Sequence, residues 1–247
     1  MIDMHAHILP GVDDGARSFD EALQMLKDSC EQGTRYILLT PHGYLDGFEK
    51  NPKRIVESYK KLKKMAKEAN LPVQLALGME VYAGEDFVEH LDAKTFFYMN
   101  ASKYMMVEVD FHVEPDYILW VIDEMIQRGI CPILAHAERY KAIQNYPGLA
   151  YRLNRAGVAI QVNKGSLFGA FGQKAKQCAH LLLEHNLVQL IASDCHGSEN
   201  RRPGLKKAWD YISKNYSSGY AEVLMKMNPE RVWTNKRILI INPRNPK

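Results

Sequence analysis

The chain has 247 residues, of which 46% are hydrophobic and 25% are charged, and its formal net charge is +3. These values are typical of a globular protein and argue against nucleic acid as a partner, and no apolar stretch is long enough to span a bilayer. Because the four cysteines form no CxxC pair and the first residues lack the pattern of a signal peptide, we expect a cytoplasmic protein without a disulfide framework.

Short apolar runs alternate with longer amphipathic segments along the chain. Seven runs have the length and β-branched content of strands buried on both faces of a parallel sheet. The predicted strands are Met1–Met4, Tyr36–Thr40, Val73–Leu77, Tyr104–Val109, Ile130–Ala135, Val158–Val162 and Val188–Ala192. The predicted helices cover Ala22–Gln32, Pro52–Glu68, Pro115–Arg128, Pro147–Gly157, Gln173–His185 and Pro203–Asn215, the first of them capped by Ser18.

This repeated alternation of strand and helix predicts a parallel α/β fold. The length suits one large domain over residues 1–247, since α/β barrels commonly reach this size. The tail over residues 234–247 is rich in Lys, Arg and Pro, and we expect it to be loosely ordered.

Histidines and acidic residues cluster at or just beyond the carboxyl ends of the predicted strands. In a (β/α) barrel this end carries the active site, and only a closed barrel would bring the first and last strands together. We therefore predict a barrel with a metal site at the carboxyl ends of its strands. The nine potential ligands are His5, His7, Asp14, His42, Glu80, Glu108, His136, Asp194 and His196.

The number of these donors indicates more than one ion. His5 and His7 are two residues apart, so on a strand they point to the same side. A carboxylate such as that of Glu80 can bridge two ions. Any one of these side chains, taken alone, could have a structural role, but their joint occurrence at six strand ends is typical of a metal site. Nine donors suit two or three divalent ions, and manganese, iron and zinc all fit histidine and carboxylate ligands.

Several motifs resemble the PHP (polymerase and histidinol phosphatase) superfamily, and within it the protein tyrosine phosphatases of Gram-positive capsule and exopolysaccharide synthesis. The resemblance covers nearly the whole chain in order. The D-D-G block at Asp13 and the A-H-x-E-R block at Ala135 narrow it to this branch. The motifs are Met1–Gly15, Thr40–His42, Gly78–Glu80, Val107–Glu108, Ile133–Tyr140 and Ala192–His196.

The resemblance implies a distorted seven-stranded (β/α) barrel of PHP type with three metal ions, usually manganese or iron. It also implies that Arg139 and Arg201 contact phosphate, although Arg202 is adjacent and is an alternative to Arg201. It assigns His5, His7, Glu80 and Asp194 to one ion, Glu80, Glu108 and His136 to a second, and Asp14, His42 and His196 to the third.

The implied reaction is hydrolysis of a phosphate monoester with a metal-bound hydroxide as the nucleophile. The implied substrate is a phosphotyrosine protein, namely the tail of a bacterial tyrosine kinase that regulates polysaccharide synthesis. A small-molecule PHP phosphatase, such as a histidinol-phosphatase, shares the metal site and is the alternative. A non-catalytic metal-binding or scaffold module is a third hypothesis, which the two arginines disfavour.

Residues 195–201 also match the C-x5-R pattern of cysteine-dependent tyrosine phosphatases, with Cys195 as the nucleophile. Asp194 and Glu199 would disfavour both a thiolate and a phosphate in this loop. The loop has one glycine, which limits the backbone freedom that a phosphate cradle needs. We therefore expect Cys195 to be a small packing residue between two metal ligands.

Overall fold

Nine strands and ten α-helices alternate over residues 1–43 and 46–246, which are the residues that the computed structural model describes. The strands are β1 Ile2–Ala6, β2 Tyr36–Leu39, β3 His42–Gly43, β4 Gln74–Leu77, β5 Glu80–Tyr82, β6 Tyr104–Glu108, β7 Cys131–Leu134, β8 Ala159–Asn163 and β9 Leu190–Ala192. The helices are α1 Phe19–Glu31, α2 Pro52–Glu68, α3 Phe87–Asp92, α4 Pro115–Gln127, α5 Lys141–Asn145, α6 Gly148–Arg155, α7 Gln173–Glu184, α8 Lys206–Asn215, α9 Ser218–Glu222 and α10 Asn228–Trp233.

Local sequence signals set the starts of the long helices. The Ser18 hydroxyl accepts a hydrogen bond from the Glu21 amide at the start of α1, as the sequence predicts. Pro52 and Pro115 open α2 and α4, where a missing amide proton has no cost. No helix in the described part of the chain has both the length and the apolar character needed to cross a bilayer.

All the strand pairs are parallel, and they form two sheets. The first has the order β1-β2-β4, and the second, which curls into a half-barrel, has the order β3-β5-β6-β7-β8-β9. The chain passes from the first sheet to the second at Thr40–Pro41 and again at Gly78–Met79. A parallel bridge between Ala6 and Cys195 links the end of β1 to the residues that follow β9. The predicted parallel α/β fold is confirmed.

Two apolar clusters lie on opposite faces of the strands. The larger cluster packs the sheets against the helices and includes Leu39, Val107 and Leu134. The smaller cluster takes residues from the other face of the strands. Its strand residues are Ile2 and Met4 of β1, Tyr36 and Leu38 of β2, Ala76 of β4, Tyr104 and Met106 of β6, Cys131 and Ile133 of β7, Ala159 of β8 and Leu190 of β9.

The C-terminal tail has no helix or strand after α10 in its described part, which ends at Pro246; Lys247 lies outside the described residues. The tail nevertheless crosses the amino ends of the strands. The Ile238 amide donates to the Tyr104 hydroxyl at 3.0 Å, and the Leu239 amide donates to Asn228 Oδ1 at 2.7 Å. Ile238 is buried in the smaller apolar cluster, so this part of the tail covers the amino ends of the strands.

Candidate metal centre

The nine side chains predicted as ligands lie together at the carboxyl ends of the strands. His5 and His7 begin the cluster, with their Nε2 atoms 3.1 Å apart. Strand β1 ends at Ala6, but the His7 amide continues the ladder by donating to the Cys195 carbonyl at 2.9 Å. The register of β1 against β2 shifts between Asp3 and Ala6. His5 and His7 are two residues apart on this extended segment, so their side chains point to the same side.

Glu80 occupies the middle of the cluster and is buried. Its Oε2 lies 3.2 Å from His5 Nε2 and 3.1 Å from His7 Nε2. Its Oε1 lies 2.7 Å from His136 Nε2 on the other side. The two oxygens of one carboxylate therefore face two different sets of histidines, which is the geometry that a bridging ligand requires.

His42 and Glu108 complete the second side of the cluster. His42 Nδ1 lies 3.0 Å from Glu108 Oε1 and 3.3 Å from Glu80 Oε2. Both His42 Nδ1 and Glu108 Oε1 are buried, and although they lie 3.0 Å apart, neither makes a hydrogen bond of acceptable geometry with the described residues. Buried polar atoms normally have partners, so a bound cation between these atoms would account for both.

Asp14 and His196 form the outer side of the cluster. Asp14 Oδ1 lies 3.3 Å from His196 Nε2 and 3.6 Å from His42 Nε2. The Asp14 side chain is about half exposed, whereas the His196 side chain is nearly buried. The loop turns back sharply at Gly15, where a β-carbon would lie 2.2 Å from the His7 carbonyl oxygen. Only glycine fits this close approach, which brings Asp14 over the histidines.

Three groups of side chains could each hold an ion, because the donor atoms within each group all lie within 4.8 Å of one another. They differ in part from the sets that the family resemblance implies. His7 joins the group of Asp14, His42 joins the group of Glu80 and Glu108, and His136 and Asp194 belong to none of the three groups. The groups are His7, Asp14, His42 and His196; His5, His7 and Glu80; and His42, Glu80 and Glu108.

The electrostatics of the cluster suit cations. Burial lowers the pKa of His136, but the carboxylates of Glu108 and Glu80 outweigh it and raise the pKa to about 10. Burial raises the pKa of Glu80, but His5 and His136 outweigh it and hold the pKa well below its usual range. The hydrogen bond from His196 lowers the pKa of Asp14 to about 2. These carboxylates favour positive charge on the buried histidines. They would favour metal ions in the same way, because metal ions and protons compete for the same ligand atoms.

Two arginines border the cluster, and a third points away from it. The Arg139 guanidinium lies between the rings of Phe111 and Phe171, 4.2 and 4.5 Å from their centroids. Arg201 Nη2 lies 2.5 Å from Asp194 Oδ2, and its Nε donates to the Asp194 carbonyl at 3.1 Å. Both side chains line a cavity of about 320 Å³ above the donor atoms.

Arg202 has a different position. Its guanidinium is about two-thirds exposed and lies 3.5 Å from Asp28 on helix α1. The geometry therefore favours Arg201 over Arg202 as the second arginine of the cavity.

Cys195 does not have the environment of a nucleophile. Its side chain is fully buried, and burial together with the nearby Asp3 raises the pKa of the thiol to about 12. A thiolate in this position would be rare at neutral pH. Cys195 packs in the core beneath the metal centre, as the sequence predicts.

Three residues of the site have a left-handed backbone. The φ angles of His136, Asp194 and Arg201 are 32°, 48° and 48°. This region is uncommon for residues other than glycine, and such strain concentrates at functional sites. The turn places each side chain over the carboxyl end of the sheet instead of along a strand.

Asp13 lies behind the donor cluster and is not among the nine predicted ligands. Its Oδ2 lies 2.8 Å from His7 Nδ1 and accepts a hydrogen bond from the His42 amide at 3.1 Å. A carboxylate behind a metal-binding histidine fixes the ring and raises its basicity. The acidic pair in the D-D-G block is the signal: Asp14 faces the donor cluster, and Asp13 supports the histidine.

Cavity size alone would not have identified this site. A larger cavity, of about 770 Å³, lies at the amino ends of the strands beside the C-terminal tail. It is lined by residues such as Lys103, Ile130 and Ile238, and it contains no member of the donor cluster.

The chain is similar to known proteins over nearly its whole length. Residues 1–234 match the family described as capsular polysaccharide synthesis, CpsB/CapC. The chain is 33% identical to the tyrosine-protein phosphatase CpsB of Streptococcus pneumoniae, over 94% of this chain and 98% of that protein. It is 31% identical to the tyrosine-protein phosphatase YwqE of Bacillus subtilis (strain 168), over 96% of this chain and 93% of that protein.

A solved structure shows the same architecture. It comes from a study of the crystal structures of YwqE from Bacillus subtilis and CpsB from Streptococcus pneumoniae, two proteins described as unique metal-dependent tyrosine phosphatases. The TM-score is 0.92 at 30% sequence identity, and the match covers 100% of each chain.

Proposed function

The chain belongs to the CpsB/CapC family of capsular polysaccharide synthesis, and on that premise we propose that it is a metal-dependent protein tyrosine phosphatase. The observation that carries the proposal is the convergence of nine histidine and carboxylate side chains at one site, where six of them line a cavity together with two arginines. The relatives named as tyrosine phosphatases match the chain over almost its entire length.

We propose that the two sheets form one distorted seven-stranded barrel of PHP type and that residues 1–247 are a single domain. Strands β2 and β3 would be two parts of one barrel strand, and β4 and β5 would be two parts of the next. Two observations support this arrangement. The smaller apolar cluster draws residues from all seven strand positions, and the bridge between Ala6 and Cys195 joins the first position to the last.

We propose that the nine donors hold two to three divalent ions, with manganese the expected metal and iron or zinc as alternatives. Glu80 would bridge, because its two oxygens face different histidines. When bound, such ions lower the pKa of coordinated water and offset negative charge on a phosphate, which allows hydrolysis near neutral pH.

The arginines of the chain would hold the phosphate. Arg139 is held by the two phenylalanine rings, so its guanidinium is positioned before substrate arrives. Arg201 is fixed from behind by Asp194. Guanidinium groups that face the same cavity can each donate two hydrogen bonds to phosphate oxygens and stabilise the charge that moves in the reaction.

The leaving group of phosphotyrosine is a phenolate, which departs without a strong general acid. The proposed mechanism therefore needs no further proton donor from the chain. The substrate that we propose is the phosphotyrosine tail of a bacterial tyrosine kinase that regulates capsule or exopolysaccharide synthesis, and the proposed location is the cytoplasm.

A comparison of substrates tests this function. The Mn²⁺-loaded protein should hydrolyse a phosphotyrosine peptide with a kcat/KM well above that for histidinol phosphate. A phosphoserine peptide is the matched control, because it carries a phosphate ester without the aromatic ring of phosphotyrosine. Faster hydrolysis of histidinol phosphate, or no hydrolysis of any of the three, would refute the proposed function.

A further inference from the structure

Strand β8 is the one strand position that supplies none of the nine donors, yet it carries two buried amides beside them. Ala159, Gln161 and Asn163 alternate along β8 and therefore share one face. Ala159 belongs to the smaller apolar cluster, so this face points to the inside of the fold. Both Gln161 and Asn163 are fully buried.

The two amides form a chain of hydrogen bonds between donor residues from different strands. Gln161 Oε1 lies 3.2 Å from His5 Nδ1, and Gln161 Nε2 donates to Asn163 Oδ1 at 2.8 Å. Asn163 Nδ2 in turn donates to Asp194 Oδ2 at 2.5 Å. The chain thus runs from a histidine on β1 to a carboxylate after β9.

One backbone amide fixes the donor-to-acceptor direction of every hydrogen bond in this series. The His136 amide, which can only donate, lies 2.8 Å from Gln161 Oε1, so the oxygen of this side chain must point toward it. That oxygen can only accept, and therefore His5 Nδ1 carries the proton. The NH2 group of Gln161 then faces Asn163 Oδ1, which leaves the NH2 group of Asn163 to face Asp194.

These hydrogen bonds determine which atoms of His5 and Asp194, the two end residues, face the donor cluster. With the proton on Nδ1, His5 Nε2 presents its lone pair to the donor cluster. At the other end, Asp194 Oδ2 is held by Asn163 and by Arg201, whereas Oδ1 lies 3.5 Å from His5 Nε2. His5 Nε2 and Asp194 Oδ1 therefore face each other beside Glu80 Oε2, which lies 3.2 Å from the same nitrogen, as ligands of one ion would.

We propose that Gln161 and Asn163 are positioning residues that fix the tautomer of His5 and the rotation of Asp194 for metal binding. This inference rests on the proposed metal centre and extends it to a strand that supplies no ligand. Hydrogen bonds behind ligands of this kind typically affect metal affinity by roughly 10–100-fold.

The chain contains a matched control. Gln189 and Asn154 are a second buried pair of amides, in which Gln189 Nε2 donates to Asn154 Oδ1 at 3.0 Å. Gln189 Oε1 accepts a hydrogen bond from the Ile160 amide at 2.9 Å, as Gln161 Oε1 does from His136. None of the hydrogen bonds of this second pair involves a donor residue of the metal centre.

The experiment compares neutral substitutions in the two pairs. Binding of Mn²⁺ is titrated in the wild-type protein and in the Gln161→Met, Asn163→Leu, Gln189→Met and Asn154→Leu variants, with free Mn²⁺ measured by EPR. Thermal unfolding of each variant measures the loss of stability. We expect Gln161→Met and Asn163→Leu to raise the Kd for Mn²⁺ by roughly 10–100-fold, with both control variants binding as the wild type does.

A second readout reports the tautomer directly. In ¹H–¹⁵N spectra of the Zn²⁺-loaded protein, the His5 Nδ1 proton should be protected from exchange with water. Gln161→Met should remove this protection because it removes the acceptor, whereas Gln189→Met should retain it.

The outcomes separate the inference from the proposed function. Absence of Mn²⁺ binding by the wild type would overturn the metal centre and the inference together. Normal binding by the wild type with equal affinities in all four variants would overturn the inference alone. Failure of both Gln161→Met and Asn163→Leu to fold, with both controls folded, would also overturn it, because the amides would then serve folding and not the ion.

Discussion

Replacement of the three neighbouring arginines, one at a time, tests the geometry of the phosphate pocket. Arg139→Ala and Arg201→Ala should each lower both kcat and kcat/KM toward an aryl phosphate. Both guanidinium groups line the cavity above the donors, and each should stabilise the moving phosphoryl charge more than the resting ester. Arg202→Ala is the control because its guanidinium lies on Asp28 outside the cavity.

The expected magnitudes differ widely. Loss of one preorganised donor of this kind lowers kcat by roughly 10²–10³-fold, which corresponds to about 2.7–4 kcal/mol. The contact between Arg202 and Asp28 is an exposed pair 3.5 Å long, and such pairs contribute at most about 1 kcal/mol to stability and nothing to the transition state. The activity of Arg202→Ala should therefore remain close to that of the wild type.

The Arg139→Ala and Arg201→Ala variants should also differ from each other in the amount of metal that they bind. Arg201 Nη2 lies 2.5 Å from Asp194 Oδ2, whereas Arg139 Nη1 is 3.9 Å from the same oxygen. Arg201→Ala should therefore weaken metal binding somewhat, and Arg139→Ala should not.

The assay is hydrolysis of para-nitrophenyl phosphate with Mn²⁺, together with bound metal measured by mass spectrometry. A crippled Arg202→Ala beside a mild Arg201→Ala would reassign the contact to Arg202. If all three variants were mild, the phosphate pocket described here would be wrong.

Four further perturbations test the metal centre. Prolonged chelation should abolish activity and lower Tm, because bound ions stabilise only the folded state; full activity in a verified metal-free preparation would refute the metal mechanism. Cys195→Ser should keep most of its activity, since a thiol whose pKa is raised to about 12 is almost wholly protonated at neutral pH; a folded, fully metallated but inactive Cys195→Ser variant would restore the cysteine mechanism. Asp13→Asn should weaken Mn²⁺ binding by roughly 10–100-fold, because His7 loses its carboxylate partner; unchanged affinity in a titration would contradict this role. Gly15→Ala should lower metal content and activity, because its β-carbon would meet the His7 carbonyl; normal metal content, measured by mass spectrometry, would show that the loop can move aside.

The strands could be predicted because a parallel sheet buried on both faces leaves long apolar runs in the sequence. Each of the seven predicted strands overlaps an observed strand. The short strands β3 and β5 were not predicted. A segment of two or three residues has too little periodicity to detect, and His42 and Glu80 suggested ligands more strongly than strands.

The set of donor residues could be predicted for a topological reason. Parallel strands bring all their carboxyl ends to one face, so polar residues at those ends must be neighbours. The partners behind the donors were harder to predict. The sequence predicts Asp14 as a ligand but assigns no role to the adjacent Asp13, and the folded loop shows that Asp13 lies behind His7. Gln161 and Asn163 did carry a signal, because two polar residues alternate within an otherwise apolar strand.

The left-handed residues at the metal centre have a consequence for any attempt to make the protein more robust. A non-glycine residue in this conformation costs on the order of 1–3 kcal/mol, less for Asp and His than for Arg because short polar side chains tolerate it better. Net stabilities of domains are only about 5–15 kcal/mol, so the backbone strain at His136, Asp194 and Arg201 together lowers the free energy of unfolding by a substantial fraction. Glycine at any of the three would relax the backbone, but at His136 or Asp194 it would also remove a ligand of the ions that stabilise the folded state. A screen for heat resistance carried out without metal would not detect that loss, and it would favour variants that gain a relaxed backbone and lose activity.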